Sequence, residues 1–199
     1  MQTDNIENLS KFFYEVGNLR KVIRAHQQTL MANDPSDNIA SHSFRVTMIG
    51  YFLDKELEAD ADKVLKMCLM HDMEEIRSGD MNWVNKRYVK VYEHEIVSDQ
   101  LDSLPHADEF KVIIKEYETR ESKESKIAKD ADLLDQIYLL KEYERQGNKE
   151  AESWLHLDNT DDNQQIKRMN FELSKQIAKK AISQAPNCWF KDIWTAQRR

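Results

Sequence analysis

An all-α fold is the architecture this chain predicts, and two observations carry the prediction. Its 199 residues include only 4 Gly and 3 Pro, too few to punctuate the hairpins and strand ends of a many-stranded sheet. Its apolar residues instead recur near the 3.6-residue period of a helix over most of the length. The length itself suits a single domain with one core, so residues 1–199 are expected to form one helical bundle.

The elements follow in chain order. Ile6, Leu9, Phe13, Val16, Leu19 and Ile23 trace one stripe, with Asp4 and Glu7 placed as an N-cap pair. ANDPSDN, Ala32 to Asn38, gathers turn-forming residues and reads as a loop. The period resumes through His42, Val46, Ile49 and Leu53, and again from Asp60 through Val64, Cys68, His71, Asp72 and Glu75. Ser78-Gly79-Asp80 breaks the chain, after which Val84, Tyr88 and Val91 open a longer helix running toward Pro105. Phe110 to Tyr117 is a short helix, and Ile127 to Tyr138 belongs to a stronger one ending at Gly147, a natural C-terminal cap. Ile166, Met169, Leu173, Ile177 and Ala181 make a last helix before Pro186. The acidic run from Asp158 to Asn163 reads as a surface loop, since it lacks the Gly and Glu of an EF-hand. Trp189, Phe190 and Trp194 are expected to pack on the domain or on a partner subunit.

Composition removes several classes of function. No apolar run approaches the roughly 18 residues of a membrane span, and the opening MQTDNIENLS has neither the basic nor the apolar region of a signal peptide. The expected location is cytoplasmic. Cys68 and Cys188 are the two cysteines, too few for a four-sulfur zinc site or a disulfide scaffold. A net charge of -7 argues against binding a nucleic acid polymer, which needs a basic face. An anionic small molecule remains compatible, because a metal or a few arginines reverse the field locally.

The stripes also carry residues that a core does not want. His42 shares its stripe with Val46, Ile49 and Leu53, and on the following helix His71, Asp72 and Glu75 lie on or beside the buried face. A lone inward histidine reads as a core residue bonded to a backbone carbonyl, but two buried carboxylates beside a histidine require a cation or a network. In KDADLLD, Lys129 to Asp135, another acid leans inward, and periodicity does not decide between Asp132 and Asp135. Imidazole nitrogens with carboxylate oxygens suit Mn²⁺, Co²⁺, Fe²⁺ or Zn²⁺ better than Mg²⁺. His94 and His106 lie in polar contexts and read as surface histidines.

An isolated His, a His-Asp dipeptide and a distant Asp in an Ala-Asp context resemble the HD-domain phosphohydrolases. More narrowly the chain resembles the small HD-domain 5'-deoxynucleotidases, the YfbR-like and HDDC2-like group, over about residues 12 to 145. MHDMEEIRSGD (Met70 to Asp80), NIASHSFRV (Asn38 to Val46) and AKDADLLDQ (Ala128 to Gln136) carry the resemblance. It implies an all-helical HD fold in which His42, His71, Asp72 and Asp132 bind one divalent cation, Asp132 being chosen by its Ala-Asp context. It further implies that Glu75 and Asp80 are the catalytic acid/base pair and that Arg24 binds the phosphate. Residues 164–199 would be a C-terminal helix and tail packed on that core.

The implied activity is metal-dependent removal of phosphate from nucleoside 5'-monophosphates, with a homodimer as the expected assembly. The alternatives are an HD hydrolase of another phosphorylated substrate, such as a nucleoside triphosphate, and a non-catalytic metal- or nucleotide-binding protein. Two positions depart from the group. Ser41 precedes His42 where a Glu is usual, and Ala25, His26, Gln27 and Gln28 follow Arg24 where several members carry a tryptophan that bears on the sugar. His26 or Gln27 is the candidate for part of that role. Lys86, Arg87 and Lys90 read as one face of a solvated helix.

Overall fold

The structure is a computed structural model that describes residues 3–156, 163–191 and 193. Three helices form its centre: α3 (Ile39–Leu57), α4 (Ala61–Met70) and α9 (Lys123–Arg145), each packed on the other two. Side chains fix where each starts. Asn38 accepts from the Ser41 N–H, Asp60 from the N–H groups of Asp62 and Lys63, and Ser122 from that of Ser125, satisfying donors that a helix start leaves unpaired. Val46, Leu53, Val64, Cys68, Ile127, Ala131 and Leu134 are the buried seam between the three. Each large side chain removed from water here contributes roughly 1.5–3 kcal/mol, and the seam is part of a larger core that continues through Ile137, Leu140, Leu155 and Ile166.

Gly50 sets how closely α3 and α4 approach. A Cβ there would lie 2.6 Å from Cys68 Sγ and 3.2 Å from Val64 Cγ1, so only glycine allows this contact. The close crossing draws His42, two turns before Gly50, toward His71, which follows α4.

Around this centre lie α1 (Thr3–Val16), α2 (His26–Leu30), α5 (Glu75–Ser78), α6 (Trp83–Lys86), α7 (Glu93–Leu101), α8 (Ala107–Thr119), α10 (Lys149–His156), α11 (Gln164–Arg168) and α12 (Glu172–Ser183). A smaller cluster of Met73, Val97, Leu101, Leu104 and Ile114 sits under α1 and α7. Among the described residues there is no strand longer than a bridge, the antiparallel pairing of Ile23 with Asn38. Among the described residues no helix is long and apolar enough to cross a membrane.

Several expected elements are interrupted, each for a physical reason. The first helix stops at Val16, a 3-10 turn takes Gly17–Lys21, and Ile23 enters the bridge. Ile6 and Phe13 are exposed, while Leu9 and Phe12 face the smaller cluster. The helix expected from Asp60 through Glu75 ends at Met70. The His71 Nδ1–H donates to the Cys68 carbonyl, which a continuing helix would use for the Asp72 N–H, and the chain turns through i to i−3 bonds before α5. The helix expected from Val84 toward Pro105 splits into α6 and α7. Trp83, Val84, Tyr88, Val89 and Tyr92 are all exposed, so no buried face supports a helix between them. The final stripe splits into α11 and α12 because the buried Asp130 carboxylate accepts from the Asn170 and Phe171 N–H groups and starts α12 anew. Helix α10 was not expected from the pattern. Of the C-terminal aromatics, Trp189 is 73% exposed and meets Phe190 edge to face rather than the domain. Asp158 to Asp162 and Trp194 lie outside the described residues.

Candidate functional site

His42 and His71 come from different elements and meet ring nitrogen to ring nitrogen. Their Nε2 atoms are 3.1 Å apart, and the other nitrogen of each ring is already committed. His42 Nδ1 lies 2.6 Å from Asp135 Oδ2, and His71 Nδ1 lies 2.9 Å from the Cys68 carbonyl oxygen. Both acceptors want the Nδ1 proton, which leaves the two Nε2 lone pairs facing each other. Two lone pairs at that distance repel unless a positive charge lies between or beside them.

Carboxylates complete the ring. Asp72 Oδ2 is 3.4 Å from His42 Nε2 and 3.3 Å from His71 Nε2, and Asp132 Oδ1 is 3.5 Å from His42 Nε2. His42, His71 and Asp72 form a cluster that could hold a metal ion, with Asp132 at its edge. The electrostatics among protein groups alone express the same demand for positive charge. Burial and the Arg24 charge push the His42 imidazole down, yet Asp135 and Asp72 outweigh them and raise it to about 9. Burial raises the Asp72 and Asp132 carboxyls, but His71, His42 and Arg24 hold Asp72 well below its ordinary value, and Lys129 with both histidines does so for Asp132. Burial and the His42 charge lower His71 against the pull of Asp72 and Asp132. Two imidazole nitrogens and the Asp72 carboxylate brought together, with the Asp132 carboxylate at the edge, are a mixed N/O donor set that fits a divalent cation.

Asp132 and Asp135 both meet the His42 ring, on opposite sides. Asp132 faces Nε2, while Asp135 holds Nδ1 and is itself gripped by Arg45, which also reaches Glu142. Asp135 thus orients the ring, as partners of metal-binding histidines do. The spacing of the two acids, three apart on α9, was the available signal.

Arg24 sits beyond the 3-10 turn, beside the Ile23 bridge, rather than at a helix end. Its N–H donates to the Asp37 carbonyl, and its guanidinium lies 3.7 Å from Asp72 Oδ2 and 3.5 Å from Asp80 Oδ2. Both Nε and Nη1 are buried without a hydrogen bond. Asp80 arrives through Gly79, whose φ of 74° is a conformation that side chains resist, and its Oδ2 accepts from the Ala25 N–H at 2.8 Å. Glu75 is buried with Oε2 unpartnered. Burial, then the charges of Asp72 and Asp80, push its carboxyl up to about 10. Arg24, Asp72, Glu75 and Asp80 are therefore one electrostatic group next to the histidine pair.

A cavity of about 670 Å³ opens from this group, with Arg24, Asp80 and Asp132 in its wall. Lys86, Lys129 and Arg168 line it too, so a chain of net charge -7 presents mostly cations here. Lys86 is thereby not simply part of a solvated face. Trp83 and Trp154 also line the cavity, and no periodic pattern joins them, since they come from separate elements. Of the two sugar-side candidates, His26 lines the cavity with Arg24, and the side chains of both His26 and Gln27 are tied to the loop that follows. His26 Nε2 binds Asp37 Oδ2, which also accepts from the Tyr143 hydroxyl, and the Gln27 amide ties down the loop at Asp34 and Asp37. Ser41, His94 and His106 are exposed.

The comparisons with known proteins come to the same place. A family model described as "HD domain" matches residues 16–174. A bovine (Bos taurus) protein named 5'-deoxynucleotidase HDDC2 is 29% identical over 147 residues, 71% of each chain. A Schizosaccharomyces pombe protein named 5'-deoxynucleotidase hdd1 is 28% identical over 126 residues, 58% of this chain and 63% of that one. Among solved structures, a conserved hypothetical protein from Pyrococcus furiosus superposes with a TM-score of 0.72 at 23% identity, over 87% of this chain and 99% of its own. A predicted metal-dependent phosphohydrolase from Magnetospirillum magnetotacticum gives 0.62 at 19% identity, over 92% and 95%. These two likenesses concern the fold.

Proposed function

The chain belongs to the HD-domain family, and from that membership we propose that it is a metal-dependent phosphomonoesterase that releases phosphate from nucleoside 5'-monophosphates. Its relatives named 5'-deoxynucleotidases favour the deoxyribonucleotides. The observation that carries the reading is the 3.1 Å convergence of His42 and His71 Nε2 beside a cavity lined by Arg24 and further cations. We read residues 1–199 as one HD domain.

His42, His71, Asp72 and Asp132 are the proposed ligands of one divalent cation, with Mn²⁺, Co²⁺, Fe²⁺ or Zn²⁺ favoured by the mixed N/O donors. Such an ion supplies a water of lowered pKa and offsets charge on the phosphoryl oxygens. The protein groups do the rest. Arg24, with two buried donors unused, binds phosphate oxygens and fixes the phosphoryl group. Asp80, on the cavity wall, accepts the proton of the attacking water. Glu75, whose carboxyl burial and the neighbouring acids Asp72 and Asp80 push up, is the group that gives a proton to the departing 5'-oxygen.

The test is to strip divalent ions with a chelator, restore Mn²⁺, Co²⁺, Zn²⁺ or Mg²⁺ singly, and measure phosphate release from ribo- and deoxyribonucleoside 5'-monophosphates. Metal-restored release from the monophosphates is expected. Release of pyrophosphate or triphosphate from nucleoside triphosphates, with no turnover of monophosphates, would overturn the proposal.

A further inference from the structure

The cavity extends well past the groups that phosphate chemistry needs, and its outer part has a different composition. On α9, Asp132 and Gln136 both line it and lie one turn apart, about 6 Å along the helix axis. Besides its charged groups the lining holds two indoles, Trp83 and Trp154, and the amides of Gln136 and Gln165. Trp83 is 71% exposed at the start of α6, and Trp154 on α10 is partly buried against the main core. An indole left largely open to water on a cavity wall is a surface waiting for a flat partner.

The amides have a defined pattern. Gln165 Nε2 donates to Gln136 Oε1 at 3.3 Å. That leaves the Gln136 amino group as a donor and the Gln165 carbonyl as an acceptor, side by side, with no other hydrogen bond among the described residues. A neighbouring donor and acceptor match the edge of a nucleobase, which likewise sets a donor beside an acceptor.

We propose that this outer part of the cavity is a nucleobase subsite, in which Trp83 and Trp154 contact the base face and the Gln136–Gln165 pair meets its edge. The inference rests on the phosphomonoesterase reading for the orientation of the substrate, phosphate at Arg24 and base outward. It locates recognition on the base, at residues distant in sequence from Arg24.

The experiment separates the subsite from the activity. Steady-state hydrolysis is compared for thymidine 5'-monophosphate and the base-less 2-deoxyribose 5-phosphate, and thymidine, which has no phosphate to lose, is titrated against tryptophan fluorescence. Trp83→Ala should raise KM for the nucleotide about tenfold, the loss expected for one stacked base, with kcat nearly unchanged. Hydrolysis of the sugar phosphate should not change. Thymidine binding should weaken by a similar factor, Trp83→Phe should restore most of it, and Gln136→Leu should weaken it independently. Because Trp83 is so exposed, its loss leaves the fold intact. If no monophosphate is hydrolysed while thymidine still binds in a Trp83-dependent way, the activity is wrong and the subsite stands. Equal losses for nucleotide and sugar phosphate, or thymidine binding indifferent to Trp83, would overturn the subsite.

Discussion

In the buried histidine–carboxylate floor, which meets the cavity at Asp132, most side chains are held from a second side: His42 by Asp135, His71 by the Cys68 carbonyl, Asp132 by Lys129, Asp135 by Arg45. On the outer wall Trp83 is 71% exposed, and among the described residues the amide pair has just the bond that the two glutamines share. The difference separates two tasks. A donor set for a cation requires fixed lone pairs, because error in direction costs affinity directly. A surface that recognises flat rings gains from contact area and tolerates movement. Substitutions on the floor should therefore change chemistry or metal binding, and those on the wall should change substrate preference.

The largest effect should come from Asp72, which lies within 3.4 Å of both Nε2 atoms. Asp72→Asn should abolish measurable Mn²⁺ binding by calorimetry and with it phosphate release, a loss beyond the roughly 100-fold typical for a partner of a ligand. Retained Mn²⁺ affinity in that variant would remove Asp72 from the donor set. Glu75 is expected to behave differently despite lying three residues on. Glu75→Gln should bind Mn²⁺ normally and lose about 10²- to 10⁴-fold in turnover of nucleotides. With p-nitrophenyl phosphate, whose leaving group departs without a proton, the loss should be small. An equal loss on both substrates would contradict the role of proton donor. Asp135→Asn should fall between structure and chemistry, costing about 10- to 100-fold in metal affinity because His42 loses the acceptor that sets its tautomer.

Gly50 tests whether the helix crossing positions the floor. Gly50→Ala places a methyl 2.6 Å from Cys68 Sγ, and Cys68 is fully buried, so overpacking should cost about 1–3 kcal/mol in denaturant unfolding and weaken Mn²⁺ binding. Removing the sulfur with Cys68→Ala should recover much of both, since His71 uses the Cys68 backbone carbonyl and not its side chain. An uncoupled, additive pair would mean that the crossing tolerates the methyl elsewhere.

What could be read in the sequence follows the same division. His42, His71 and Asp72 were visible because each lies on or beside an apolar stripe, where a polar residue must have a cause, whereas periodicity left Asp132 and Asp135 undecided and only the family resemblance chose Asp132. Arg24 and Asp80 needed the family resemblance, because nothing in a periodic pattern marks an arginine in an extended segment or an acid after a turn. The outer wall was illegible. Trp83, Gln136, Trp154 and Gln165 come from four helices, and their meeting depends on how α6, α10 and α11 pack. The helix breaks at His71 and Asn170 were hidden for a related reason: a side chain from elsewhere, or the histidine itself, takes a backbone group that local periodicity assigns to the helix.

The smallest expected effect lies behind the floor, where Asp37 accepts from the Tyr143 hydroxyl and pairs with His26, while its backbone carbonyl accepts from the Arg24 N–H. Burial raises the Asp37 carboxyl, but His26, Tyr143 and Arg24 together hold it below its ordinary 3.8. A group with a depressed folded pKa stabilises the protein above its unfolded value, and that contribution drains away as the pH falls through the folded pKa. Asp37→Asn should therefore cost about 1 kcal/mol near neutral pH, the scale of one charged hydrogen bond, and progressively less below about pH 4 as the wild-type carboxyl also takes up a proton. Denaturant unfolding of both proteins across that range isolates Asp37 from the other depressed acids, because only the difference between them depends on it. A difference that stays constant into acid would mean that Asp37 acts through the shape of the loop alone, and Arg24 would then be positioned without any contribution from charge.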